Sequence, residues 1–207
     1  MNKLEILPTM LYEFEAPDQI HNLICNYLET VDWSSKPNRS NEPYFGKTEL
    51  AYLNINNDVQ DYTNWVTEQV NKVKEVENFC CTTMIPVNMW ANQSLLGQWH
   101  HRHSHKWSSL STIYYVSGEK GQTWFSRITD YHVEEMQLKN DYELDIIYKH
   151  SPKPKTLLVF PSSLQHSVSE NTSKVPRLTV SANFLPTGRV GTGMGYDTTK
   201  SLLPWNK

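Results

Sequence analysis

Cysteine is scarce in this chain: Cys25, Cys80 and Cys81 are the only three in 207 residues. An odd count, two adjacent members and no C-x-x-C spacing argue against a disulfide framework and point to reduced thiols inside a cell. An excess of one charge is also missing. The 19 Lys and Arg against 22 Asp and Glu leave a formal net charge of −3. A chain so balanced is not built for sequence-independent phosphate binding, which disfavours nucleic acid as a partner. No stretch approaches the ~20 apolar residues of a membrane-spanning helix. The start, MNKLEILPTM, lacks the basic residues and apolar run of a signal peptide, so a soluble, cytoplasmic protein is expected. Repeats, low-complexity tracts and linkers are absent as well. With 38% hydrophobic and 20% charged residues, the chain should fold around one sizeable core as a single domain over 1–207.

The pattern divides near residue 79. Before it, LEILPTMLYEF within residues 1–16 reads as an outer strand. Asp18 is placed to cap a helix carrying Ile20, Leu23, Ile24, Tyr27, Leu28 and Val31 at helical spacing. Residues 33–57, rich in Ser, Asn and Pro, read as a loop. A second helix is expected from about Asp58 to Asn78, with Tyr62, Trp65, Val66, Val70, Val73 and Val76 on one stripe. Helical support thus spans about 17–78. After it come short runs rich in Val, Ile, Thr and aromatics: 81–92, 95–105, 110–116, 122–127, 142–149, 155–160, 164–169 and 176–184. Two helices followed by about eight strands predict a mainly β fold with N-terminal helices packed on one side of a sandwich or open barrel over about 81–184. Residues 186–207 read as an irregular tail.

Four of the 8 histidines lie in the run GQWHHRHSHKW: His100, His101, His103 and His105. Imidazole is the commonest protein ligand for transition metals. On a strand, 101, 103 and 105 would share one face, and alternation alone does not choose among them. A facial metal site needs ligands from separate strands. His103-x-His105 supplies a pair at i and i+2, and His166, 61 residues on, is the candidate third ligand from across the barrel. The plainer reading is an exposed polar strand edge. Arg177 follows His166 by eleven residues. A carboxylate bound inside an apolar barrel needs a paired charge, which a guanidinium provides bidentately. Trp90, Trp99, Trp107 and Trp124 cluster in the same region, where core packing is their expected use and an aromatic substrate wall the alternative.

Read in order, GQWHHRHSH, YYV, GQTWF, VFPSSLQHSV and RLT resemble the 2-oxoglutarate- and Fe(II)-dependent oxygenase superfamily over roughly residues 84–184. The pattern looks closest to the small prolyl-hydroxylase-like proteins of bacteria and their phages. The resemblance implies a double-stranded β-helix (jelly-roll, cupin-like) core. It also implies an enzyme that uses Fe(II), 2-oxoglutarate and O2 to hydroxylate a peptide or protein side chain or a small molecule, releasing succinate. It further implies that His103 and His105 occupy the places of the family's His-x-Asp pair and that His166 is the distal histidine. Arg177 would hold the far carboxylate of 2-oxoglutarate, and Thr179 matches a hydroxyl two residues beyond it. Thr123 matches a threonine beside the cosubstrate. His100 falls where many members carry a cosubstrate-contacting tyrosine, and Tyr115 matches an aromatic on the next core strand. In a phage the compartment would be the host cytoplasm.

One position departs from this pattern: His105 stands where the resemblance places a carboxylate. Three neutral imidazoles leave a divalent ion with its full charge, suited to a dianion and hospitable to Zn²⁺ or Ni²⁺ as well. Two rivals share the barrel. A cupin-type metal protein that does not use 2-oxoglutarate would match Gly97, five residues and His103-x-His105. Its motif, however, needs a glutamate that Lys106, Trp107, Ser108, Ser109 and Leu110 do not supply, and it has no need of Arg177. The other rival is a non-catalytic metal-binding structural protein.

Overall fold

The computed structural model describes residues 9–36, 47–49, 52–126, 147–191 and 196–197, with backbone alone for 47–49, 147 and 196–197. The chain opens with strand β1 (Tyr12–Glu15) and helix α1 (Asp18–Glu29). Strand β2 (Lys47–Glu49) and helix α2 (Gln60–Val76) follow, then β3 (Thr83–Ser94), β4 (His100–His103) and β5 (Leu110–Ser117). The remaining strands are β6 (Thr123–Ser126), β7 (Ile147–His150), β8 (Thr156–Pro161), β9 (Gln165–Val168), β10 (Arg177–Thr187), β11 (Arg189–Val190) and β12 (Tyr196–Asp197). β3 to β10 are the eight strands expected from the sequence. They form two antiparallel sheets facing each other, the jelly-roll arrangement. A six-stranded sheet runs β1-β8-β5-β10-β3-β2, and a four-stranded sheet runs β4-β9-β6-β7.

Period-two alternation gives the six-stranded sheet two different faces. Met89, Ala91, Tyr114, Val116, Leu157, Val159, Val180, Ala182 and Phe184 point to the helices. There they join Ile20, Ile24 and Leu28 of α1 and Tyr62, Val66, Val70 and Val73 of α2 in one buried apolar cluster. Full burial of each Val, Leu, Ile, Phe or Met among them stabilises by about 1.5–3 kcal/mol. On the opposite face, Ile113, Tyr115, Leu158 and Phe160 meet Phe125 of the second sheet in a smaller cluster. That smaller apolar fill leaves room at one end of the sandwich for a pocket.

Several expectations need correction. Asp18 does not cap α1; Pro17 takes the capping position without a side-chain hydrogen bond, and Asp18 pairs instead with Lys155. Val76, the last residue of α2, is exposed and does not join the apolar stripe. Residues 33–57 are not all loop: they hold 3-10 turns at Trp33–Ser35 and Leu53–Ile55 and strand β2 on the sheet edge. β10 continues to Thr187, and β11 pairs with β12, so 186–197 is not wholly irregular. The expected strand 95–105 shrinks to His100–His103. Residues 1–8, 142–146 and 198–207 of the expected elements lie outside the described residues. Among the described helices none is long and apolar enough to cross a membrane.

Candidate metal and anion site

β4 pairs with β9, and its register shifts between His100 and His103. That irregularity breaks the alternation on which one shared face for 101, 103 and 105 depends. His101 is turned outward against Trp99, the ring centroids 4.3 Å apart. His100 comes to the same side as His103, at 5.0 Å between rings. His103 sits opposite His166 in the ladder, so the third histidine comes from the neighbouring strand and not from across the barrel. His105 lies two residues beyond β4, with its backbone N–H donating to the Ser162 carbonyl at 2.9 Å.

The result is a compact triad. One donor atom each from His103, His105 and His166 lie within 4.8 Å of one another, and the two Nε2 atoms of His105 and His166 are 3.2 Å apart. Backbone carbonyls orient two of the rings. Nδ1 of His103 lies 2.8 Å from the His101 carbonyl, and Nδ1 of His166 lies 3.1 Å from that of Leu164. Each carbonyl accepts from an Nδ1–H, which leaves Nε2 as a lone pair, the tautomer a metal ligand requires. Burial, then the neighbouring His103 and His105, hold the pKa of His166 down at about 3. The ring is therefore neutral at physiological pH. Three converging imidazoles fit a divalent transition metal.

Arg177, the first residue of β10, is 4% exposed. Among the described residues it has no carboxylate partner. Its NH2 donates to Thr123 Oγ1 at 3.2 Å, its Cζ lies 5.4 Å from the Tyr115 ring centroid, and its Nε has no hydrogen-bond partner. Tyr115 donates its hydroxyl to the same Thr123 oxygen at 2.7 Å. Burial pushes the guanidinium pKa down and the Tyr115 phenol up, yet arginine keeps its proton in proteins. A buried cation without a counter-charge is costly, and a bound anion removes that cost. The β5–β6 turn is shaped around this side chain. A Cβ on Gly118 would fall 2.8 Å from Arg177 Cα, and one on Gly121 3.2 Å from its Cδ; both glycines have positive φ, at +98° and +81°.

The triad, His100, Arg177 and Thr179 all line one pocket between the sheets. Thr123 and Tyr115 are fully buried and bond to each other and to Arg177, so they stand behind the pocket wall. Asn92 and Ser94 on β3 and Ser181 on β10 also line it. Nothing in their identities marked them; the signal was their spacing of two or four from Trp90 and Arg177 on paired strands. Of the four clustered tryptophans, Trp90 is buried beside His105, while Trp107 is 93% exposed, against its expected place in the core.

Residues 88–183 match the profile of a family described as "Putative 2OG-Fe(II) oxygenase". The matched span contains the triad, Thr123, Arg177 and Thr179. Among solved structures, a prolyl-4-hydroxylase from Pseudomonas putida is 11% identical with a TM-score of 0.64, over 87% of this chain and 94% of that one. HygX from Streptomyces hygroscopicus, solved with nickel and 2-oxoglutarate bound, is 12% identical at 0.62, over 88% and 85%. The viral collagen prolyl hydroxylase of Paramecium Bursaria Chlorella virus-1 is 11% identical at 0.53, over 84% and 94%. At these identities the structures establish the fold alone. The sequence matches no curated protein.

Proposed function

We propose, from the match of residues 88–183 to the 2OG-Fe(II) oxygenase profile, that the chain is a 2-oxoglutarate- and Fe(II)-dependent oxygenase that hydroxylates a C–H bond of a peptide or protein side chain. Such an oxygenase would use Fe(II), 2-oxoglutarate and O2. The observation that carries it is Arg177, a buried guanidinium with no carboxylate partner among the described residues, in the pocket that holds three histidine donors. A metal-binding barrel without a dianionic cosubstrate has no use for that charge, which disfavours the cupin-type and structural alternatives.

In this reading His103, His105 and His166 hold the iron through Nε2. Arg177 receives the far carboxylate of 2-oxoglutarate, with Thr179 and His100 on the adjoining wall. Thr123 and Tyr115 act through Arg177, fixing the guanidinium plane so that its free edge meets the carboxylate. The apolar cluster of Ile113, Leu158, Phe160 and Phe125 keeps water from the closed side of the pocket. Fe(II) and 2-oxoglutarate held there would supply the oxidation with O2 as oxidant: one oxygen atom would enter succinate as 2-oxoglutarate loses CO2, and the other would convert a substrate C–H to C–OH. Two of these structural neighbours, a prolyl-4-hydroxylase and a collagen prolyl hydroxylase, support a peptide substrate class.

The test is turnover without substrate. Anaerobic addition of Fe(II) and 2-oxoglutarate should give a weak visible charge-transfer band, and admission of air should yield succinate. Absence of 2-oxoglutarate binding by the metal-loaded protein would refute the proposal.

A further inference from the structure

His105 is the ligand position that departs from the two-histidine, one-carboxylate form of facial iron sites. It lies past the end of β4, so strand pairing does not fix it. Other contacts do. Its N–H is held by the Ser162 carbonyl. Ser162 is fully buried, and its hydroxyl lies 2.8 Å from that of Ser111, which donates to Asn183 Oδ1 at 2.8 Å. The Ser162 N–H donates to the Ser109 carbonyl at 3.0 Å. This polar network ties the turn after β8 to β5 and β10, and so fixes the carbonyl that anchors His105.

The second support is aromatic. Trp90, 5% exposed, lies nearly parallel to the His105 ring, at 5.6 Å between centroids and 22° between planes. The His166 ring is nearly parallel to His105 as well, at 5.0 Å and 16°. Trp90 projects from β3 on the pocket side, while its neighbours Met89 and Ala91 serve the helix-facing core. An indole face gives orientation to a flat ring stacked on it and has no comparable hold on a carboxylate.

We infer that Trp90 is a specificity-determining residue that commits this centre to imidazole at position 105, so that the three-histidine site is built for three histidines. Trp90 acts on the metal through His105 and is a positioning residue. The inference rests on reading the triad as the metal site.

A double-mutant cycle tests it on the full-length chain, with Co²⁺ as the probe and two readouts: affinity by competition with a chelator, and the visible d–d absorption spectrum. Trp90→Met removes the ring at nearly constant hydrophobicity. It should weaken Co²⁺ binding about 10–100-fold, the usual range for partners that orient a ligand, and shift the d–d bands. Trp90→Phe keeps a ring and should retain affinity within about threefold and the wild-type spectrum. In the His105→Asp background, Trp90→Met should change affinity by less than about threefold. Equal losses in the two backgrounds would show that Trp90 only packs, and no loss in the wild-type background would show that it does not hold His105; either overturns the inference. A wild type that binds no Co²⁺ would instead overturn the metal-site reading on which the inference depends.

Discussion

The two faces of the six-stranded sheet are made by the same strands and have opposite characters. On β10, Val180, Ala182 and Phe184 enter the helix-facing cluster, while Arg177, Thr179 and Ser181, one residue out of phase, line the pocket. β3 repeats the division, with Met89 and Ala91 on one side and Trp90, Asn92 and Ser94 on the other. The helix-facing side is closed and apolar and supplies the burial that stabilises the fold. The pocket side carries a buried cation and three imidazoles, groups that cost free energy to bury. Scaffold and site are thus divided at single-residue spacing, as period-two geometry permits.

The comparison can be broken from either side. On the scaffold side, Phe184→Ala should destabilise by about 3–5 kcal/mol, measured by denaturant unfolding of the apoprotein. The Co²⁺ spectrum of the fraction that stays folded should be unchanged; an altered spectrum would mean the faces are coupled. On the site side, Arg177→Met should weaken 2-oxoglutarate binding about 100-fold, or ~2.7 kcal/mol, while metal content stays at the wild-type level. Because the substitution removes a buried cation, apoprotein stability should not fall. Loss of metal would place Arg177 in the wrong role.

His105→Asp sharpens the comparison within the pocket itself. A carboxylate in the ligand set removes one unit of positive charge facing a dianion. Affinity for 2-oxoglutarate should drop about tenfold, and affinity for Co²⁺ should fall as well because the Trp90 ring does not orient a carboxylate, both read by calorimetry. Unchanged cosubstrate affinity would show that the charge of the ligand set does not govern binding.

The smallest effect belongs to the helix-facing side. His21 on α1 contacts the Tyr114 hydroxyl at 2.9 Å, and burial lowers its pKa below 6.5. The unfolded chain therefore takes up that proton first as pH drops. The contribution of His21 is present above about pH 6.5 and is lost as pH falls through the lower folded value. Melting temperature followed from pH 8 to 5 should decline less steeply in His21→Gln; identical slopes would remove His21 from the account.

Much of this was legible in the amino-acid pattern. Eight strands followed two helices because β-branched and aromatic runs alternate with turn residues, and the helix stripe through Tyr62, Val66, Val70 and Val73 packs as its spacing predicts. The residues of the site were visible as types and spacings: His103 and His105, His166, then Arg177. Three things were not visible. Alternation alone did not show that His100, and not His101, faces the pocket, although the family resemblance placed His100 there; a register shift in β4 decided it. The tight passage of Gly118 and Gly121 over Arg177 depends on a turn conformation that neighbouring residue types do not encode. The exposure of Trp107, with φ at +67°, runs against its hydrophobicity.

The sequence by itself determined which chemistry was available: imidazoles in place of a full carboxylate-bearing ligand set, one arginine on an inward strand, and the alternation that separates scaffold from site. Those are properties of side-chain type and period, which are local. Only the tertiary structure decided which imidazoles converge, that Trp90 faces His105, and that Arg177 is sealed from solvent and from any described carboxylate. Those depend on strand register and on pairings between residues tens of positions apart, set by the packing of two sheets as a whole.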